Sequence, residues 1–157
     1  MNSAPDSDAL HRLTSHDEIR QLAARYCWAL DTLDRESLAR VFTADATASL
    51  GRGIQNGFDE IWSLIHGVLA HLDASQHLIG SQLIDLSVDG RSATSRCHFH
   101  AQHVRASAGD DTQFIVAGRY DDRLVITDDG WRITHRTLKV IWTRGNPSVI
   151  SPPSSPS

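Results

Sequence analysis

Cysteine, methionine and surplus positive charge are what this sequence has least of. Two cysteines, Cys27 and Cys97, cannot make a disulfide framework, and a reducing, cytoplasmic setting is the simpler expectation. The 15 Lys and Arg residues are outnumbered by 19 Asp and Glu, for a net charge of −4, and they are scattered rather than clustered. That excludes the basic stripe a nucleic-acid-binding domain needs. No apolar run approaches the roughly 20 residues that span a bilayer, so no membrane association is expected. The opening residues, MNSAPDSDALHR, lack a positive region followed by an apolar run and do not read as a secretory signal.

What remains is the composition of one globular domain. The chain has 157 residues, 40% of them hydrophobic, and a domain of that size buries roughly 70% of its unfolded surface without needing a metal or disulfide. Residues 1–11 read as a disordered N-terminus, 12–145 as the domain, and 146–157, ending SPPSSPS, as a disordered Pro/Ser-rich tail.

The order of elements is helices first and strands second. Ser15 and Glu18 form a capping-box pattern, and Ile19, Leu22, Ala23, Tyr26, Leu30 and Leu33 follow as one helical stripe. Asp34 is placed to cap a short second helix, RESLARVF. TADATASL reads as a turn into a short strand and GRGIQNG as a loop. FDEIWSLIHGVLAHL is a third amphipathic helix. From residue 77 the period becomes two: HLIGSQLIDLSV, a DG turn, RSATSRCHFHAQHV, QFIVAGRYDDRLVI and WRITHRTLKVIW are four strands. Segregated helices and strands predict an α+β fold, a cone in which the helices cover a curved, mainly antiparallel sheet and enclose a pocket.

Nine histidines are available for proton transfer or coordination. Alternation puts Ala93, Ser95, Cys97, Phe99, Ala101 and His103 on one face of their strand, the small and apolar face that should point inward. His98 and His100 take the outer face. Their H-x-H spacing suits a structural, an interfacial or a metal-binding role, but no further ligand set converges on them and no metal site is expected. His77 opens a strand whose alternation partners are Ile79 and Ser81. Asp31 ends the first helix, where an Asp commonly does no more than terminate it.

Three strings, DEIRQLAARYCWALDTLDRESLARVFTADAT, HLIGSQLIDLSVDGRSATSRCHFHA and GRYDDRLVITDDGWRITHR, resemble the SnoaL-like branch of the nuclear-transport-factor-2-like superfamily over residues 12–145. The resemblance implies the cone fold and, within it, a site shared by scytalone dehydratases, bile-acid 7α-dehydratases and hexachlorocyclohexane dehydrochlorinases. Those enzymes use an Asp near the end of the first helix and a His at the start of a strand after the third helix. Asp31 and His77 fall at those positions. Tyr26 matches a tyrosine of the bile-acid enzymes, and His103 a second pocket histidine of the scytalone enzymes. Two tyrosines of the scytalone enzymes are replaced by Leu30 and Leu50.

The implied function is a cofactor-independent, dehydratase-like elimination on a small hydrophobic cyclic or aromatic hydroxyl or carbonyl compound. His77 would be the base, Asp31 its orienter, Tyr26 a donor and His103 an acid or second donor. An isomerase or cyclase in the same pocket, a non-catalytic ligand-binding module and an oxygenase partner subunit are the alternatives. Trp28, Phe58, Trp62, Ile65, Phe99 and Tyr120 are expected as substrate-binding wall. A homodimer or higher homo-oligomer through the outer sheet face is also implied.

Overall fold

The structure, a computed structural model, describes residues 7–151. α1 (Ser7–Asp31) and α2 (Arg35–Ala39) lead into β1 (Phe42–Ser49) and β2 (Ile54–Asn56). After α3 (Phe58–Leu69) come β3 (Ala74–Leu86), β4 (Ser92–Val104), β5 (Gln113–Thr127) and β6 (Gly130–Gly145). The sheet has six strands in the order β2-β1-β6-β5-β4-β3; all neighbours are antiparallel except β1 and β6. The expected α+β architecture, helices on a curved and mainly antiparallel sheet, is the one observed. Among the described residues no helix is long and apolar enough to cross a membrane.

α1 differs from expectation at its start. It begins at Ser7, two turns before the capping-box pattern, so Ser15 is an interior helical residue and is buried. The extra turns are anchored by His11, whose Nε2 lies 3.4 Å from the Gly90 carbonyl in the β3–β4 turn. Residues 7–11 are therefore helical, and residues 1–6 lie outside the described residues. The stripe Ile19, Leu22, Ala23, Tyr26 and Leu30 is buried as its spacing requires. α1 ends in a Schellman arrangement: Leu33 has φ 53°, its N–H bonds Leu30, and the Asp34 N–H bonds Ala29. Asp34 then caps α2 by accepting from the Ser37 N–H at 3.0 Å.

Phe42, Val41 and Leu38 are buried, but Phe42 opens β1 rather than closing α2, and the whole stretch 42–49 is strand. β3 carries an irregularity between Gly80 and Leu83, where Ser81 has φ 52°. Before it the half-buried positions are odd (75, 77, 79), and after it they are even (82, 84, 86). Ser81 therefore leaves the row of His77 and Ile79, because one inserted residue reverses the facing of all that follow. β4 has no such break, and its Ala93–His103 row faces inward as alternation predicts. A second bulge pairs Ala117 with Trp142 and Gly118 with Val140. A Cβ on Gly118 would sit 2.1 Å from the Lys139 carbonyl oxygen and 2.9 Å from the Phe99 ring, so only glycine fits this close approach.

The tail also departs from expectation. Residues 147–150 form a short 3-10 helix whose Val149 is fully buried. The Arg105 guanidinium donates to the Ser151 carbonyl at 2.6 Å and to that of Ser148, and Asn146 accepts from the Ser148 N–H. Pro and Ser frequency suggested disorder, but one buried Val and one buried Arg hold the segment to the domain. Residues 152–157 lie outside the described residues.

Candidate active site

Helices and sheet enclose a cavity of about 350 Å³. Leu30, Ile65, Leu69, Phe99, Leu138 and Val140 make most of its wall apolar, while Tyr26, Arg52, His77, His103, Tyr120 and Thr143 supply its polar side chains. α1 runs along the edge strand β3, and its last residue turns a carboxylate onto that strand. Asp31 Oδ2 accepts the His77 backbone N–H at 2.9 Å, Oδ1 accepts the His77 Nδ1–H at 2.6 Å, and the Ser75 hydroxyl donates to Oδ1 at 3.3 Å. The backbone bond is available because β3 has no partner on that side. A carboxylate at a helix C-terminus is electrostatically disfavoured by the helix dipole. Three donors in one place offset that cost and fix the side chain.

The contact also sets the His77 tautomer. With the Nδ1 proton held by Asp31, the lone pair resides on Nε2, the remaining polar atom of a ring that is 7% exposed and lines the cavity. Asp31 itself stands behind His77. This removes an apparent conflict in helix geometry, since residues 26 and 31 lie about 140° apart around an ideal helix. Tyr26 points toward β5 and β6 and lines the cavity, while Asp31 points toward β3 and meets it only through His77.

His103 lies edge-on to His77, with ring centres 5.6 Å apart, and its Nδ1 is buried without a hydrogen-bond partner. Burial, then the neighbouring His77, lowers its pKa to about 4. Near pH 7 this favours the neutral ring, which offers the cavity a hydrogen-bonding group rather than an imidazolium proton. An unfolded His titrates near 6.5, so the unfolded chain binds more protons than the folded one between pH 6.5 and about 4. Stability is expected to fall across that window on acidification, by up to about 3 kcal/mol from this group. Urea unfolding of the wild type and of His103→Gln at pH 7 and pH 4.5 checks this; the same acid-induced loss in both would refute it.

Three of the six residues expected in the wall reach the cavity. Ile65, Phe99 and Tyr120 line the cavity. Trp28 is 73% exposed, because two residues beyond Tyr26 is about 200° around the helix. Phe58 is buried at the start of α3, with the Arg35 guanidinium 5.2 Å from its ring centre, and lies away from the cavity. Trp62 packs on the His66 ring at 5.3 Å and does not line it either. Ile150, from the segment expected to be disordered, does.

Sequence reasoning missed a buried ion pair beneath the two tyrosines. Arg136 is 1% exposed and donates from Nε and Nη2 to the two carboxylate oxygens of Asp122, both at 2.7 Å. Its guanidinium lies 4.1 Å from the Tyr26 ring centre and 4.2 Å from that of Tyr120. Phe99 stacks on Tyr120 at 4.5 Å, and Tyr26 meets Tyr120 edge-on at 5.5 Å. Burial raises the Tyr26 phenol, against the pull of the Arg136 charge and the Tyr120 hydroxyl; Tyr120 goes well above the usual phenol value. The signal was present: Asp122 and Arg136 oppose each other in the β5–β6 hairpin at positions where a core-facing strand should be apolar.

On the outer face Leu78, His100, Ala117 and Trp142 lie in cross-strand register, with the His100 and Trp142 rings 5.8 Å apart. Among the described residues no group of three or more His, Cys, Asp or Glu side chains is placed to hold a metal ion.

Comparison with known proteins agrees with this architecture. The SnoaL-like domain family matches residues 11–137. An uncharacterized protein of Mycobacterium tuberculosis is 37% identical over 123 residues, 76% of this chain and 80% of its own. The terrestric acid biosynthesis cluster protein E of Penicillium crustosum is 28% identical over 143 residues, 88% of this chain and 90% of its own. The solved structure of a candidate scytalone dehydratase from Novosphingobium aromaticivorans superposes with a TM-score of 0.77 at 22% identity, covering 94% of this chain and 98% of that one.

Proposed function

Because the chain belongs to the SnoaL-like domain family, whose fold carries small-molecule-converting pockets, we propose that it is a cofactor-independent lyase. Its substrate would be a small hydrophobic cyclic or aromatic hydroxyl or carbonyl compound. The observation that carries the reading is the 2.6 Å bond between Asp31 and the His77 ring at the wall of an apolar cavity. In this reading His77 Nε2 removes a proton from a carbon next to the one bearing the leaving group. The C–H electron pair becomes the new double bond and the hydroxyl departs. The imidazolium returns its proton to that hydroxyl, so that water and the alkene leave and the enzyme is restored. Asp31 stays ionised throughout, holding the tautomer before the transfer and stabilising the imidazolium after it. Tyr26 donates to the substrate oxygen on which charge builds. The cavity's apolar wall keeps water away from the carbanion-like transition state.

The experiment is a screen of hydroxylated cyclic ketones and phenols, run in deuterated water with product mass recorded. Elimination gives a product lighter by one water. An isomerase, the second reading, gives an isomer that loses no water and is heavier than the substrate by the one carbon-bound deuterium taken from solvent. It is favoured by the burial of His103, whose Nδ1 has no hydrogen-bond partner and whose pKa burial lowers to about 4, which leaves His77 to carry a proton out and back. No conversion of any compound that binds would sink both and leave a ligand-binding module.

The same reading includes pairing of two copies through the outer face around Leu78, His100 and Trp142. Trp142, on the interior strand β6, is 48% exposed, and Leu78, on the edge strand β3, 57%, so the face carries large apolar side chains in the open. Sedimentation is expected to give a dimer for the wild type and a monomer for Trp142→Glu; a wild-type monomer at micromolar concentration would refute it. The two free, buried cysteines suit the reducing cytoplasm expected for such an enzyme.

A further inference from the structure

We propose that the groove between α1 and α2, lined by Trp28, Arg25 and Arg40, is a second ligand site, separate from the cavity, for a planar aromatic carboxylate. The ring of such a ligand stacks on the indole, and its carboxylate meets the guanidinium groups. The inference rests neither on the role of His77 nor on any turnover.

Four observations carry it. First, the groove is an open space of about 470 Å³, within the range of small-ligand sites. α1 supplies Arg25, Trp28 and Thr32 to it, and the α2 turn supplies Asp34, Ser37 and Arg40. None of these residues lines the cavity of His77.

Second, Trp28 is 73% exposed there. A lone exposed apolar residue is ordinary. An indole in a concave space with a cation from each of two elements is not, because it joins a flat apolar face to charge. A Trp side chain has only two torsions to fix, so stacking on it costs little conformational entropy.

Third, the cations are available. Among the described residues Arg25 takes part in no ion pair. Its Nη2 donates to the neutral amide of Gln21 at 3.3 Å, and Gln21 donates in turn to Asp17, about two turns before Arg25. Arg40 pairs with Glu36 at 2.9 Å, but the two side chains are 64% and 84% exposed. An ion pair so wet holds its partners weakly.

Fourth, the other polar groups of the groove are already engaged. Asp34 accepts the Ser37 N–H at 3.0 Å, and its bonds from Ser37 hold its carboxyl below the usual carboxylate range. The Thr32 hydroxyl donates to the Trp28 carbonyl at 2.8 Å. The unspent capacity of the groove is therefore one flat apolar face and one uncompensated positive charge, that of Arg25. A guanidinium fork matches a carboxylate in shape, and one net charge suits a monoanion better than a phosphate dianion.

The test follows the indole N–H signals of the 15N-labelled full-length protein by NMR. The chain has four Trp, and the signal missing from Trp28→Phe is that of Trp28. The probes are 2-naphthoate and the uncharged 2-naphthamide, which share a ring system and differ in charge. Naphthoate is expected to shift the Trp28 signal saturably and to bind there about fivefold more tightly than naphthamide, the upper scale of an exposed ion pair. Arg25→Gln, an exposed substitution that keeps the helix, should lose most of that preference, and Arg25→Gln with Arg40→Gln all of it. The Trp28 signal reports the groove even where the cavity also takes up the probe. A Trp28 signal that stays in place, or that moves alike with both probes, would overturn the proposal. A preference for naphthoate that survives the double substitution would take the anion away from these arginines and overturn it as well.

Discussion

Replacing His77 by Gln is expected to lower kcat/KM by roughly 10³-fold on any substrate the protein converts, the scale set by loss of a general base. The substitution keeps the size and polarity of the side chain and leaves the fold intact. KM should change little, because the apolar wall, and not the imidazole, provides most of the ground-state contact. Asp31→Asn should cost a similar amount for a different reason. The Asn amide would donate to Nδ1 where the carboxylate now accepts, and this would move the ring proton to Nε2. The base would then carry a proton where it needs a lone pair. The two effects should not add in the double variant, since both remove the same function. Independent, multiplying losses would contradict the pairing of the two residues, and an active His77→Gln would remove the function assigned to it.

The second large effect concerns stability. Asp122→Ala leaves the Arg136 guanidinium buried with no counter-charge, and the expected loss is about 3–5 kcal/mol. For a domain of this size that is a drop in Tm of roughly 10 °C. The double variant Asp122→Leu with Arg136→Met should recover most of it, because it removes both charges and fills the space with carbon. Calorimetry on the three proteins decides the matter. A loss under about 1 kcal/mol for Asp122→Ala would mean that water reaches the pair.

Much of the fold was readable because it rests on local periodicity. The α1 stripe from Ile19 to Leu30, the DG turn and the inward row of β4 are all where spacing places them. The failures have physical causes. Ser15 and Glu18 look like a helix start, yet nothing in a capping box prevents a helix from beginning earlier, and residues 7–14 extend it. Alternation along β3 holds only as far as Gly80, since a bulge leaves no unmistakable mark in sequence. The Asp31–His77 contact joins residues 46 apart, and no periodicity links a helix end to the first turn of a later strand. Family resemblance supplied that pair; the residues alone did not. Trp28 was misplaced by hydrophobicity, where its position around the helix should have decided. Asp122 and Arg136 were legible in principle as two charges facing each other in a hairpin interior, but only once the inner face of β5 is known.

The turn at 147–150 gives the cavity an unusual author. Ile150 reaches the wall from a segment that contributes no base, no donor and no strand, and that is fastened through Arg105 and Val149. The shape of the binding space is thus partly delegated to a stretch whose residues can vary without disturbing the groups that would move protons. Replacing Ile150 alone is expected to change which ligands fit the cavity while leaving Asp31 and His77 untouched.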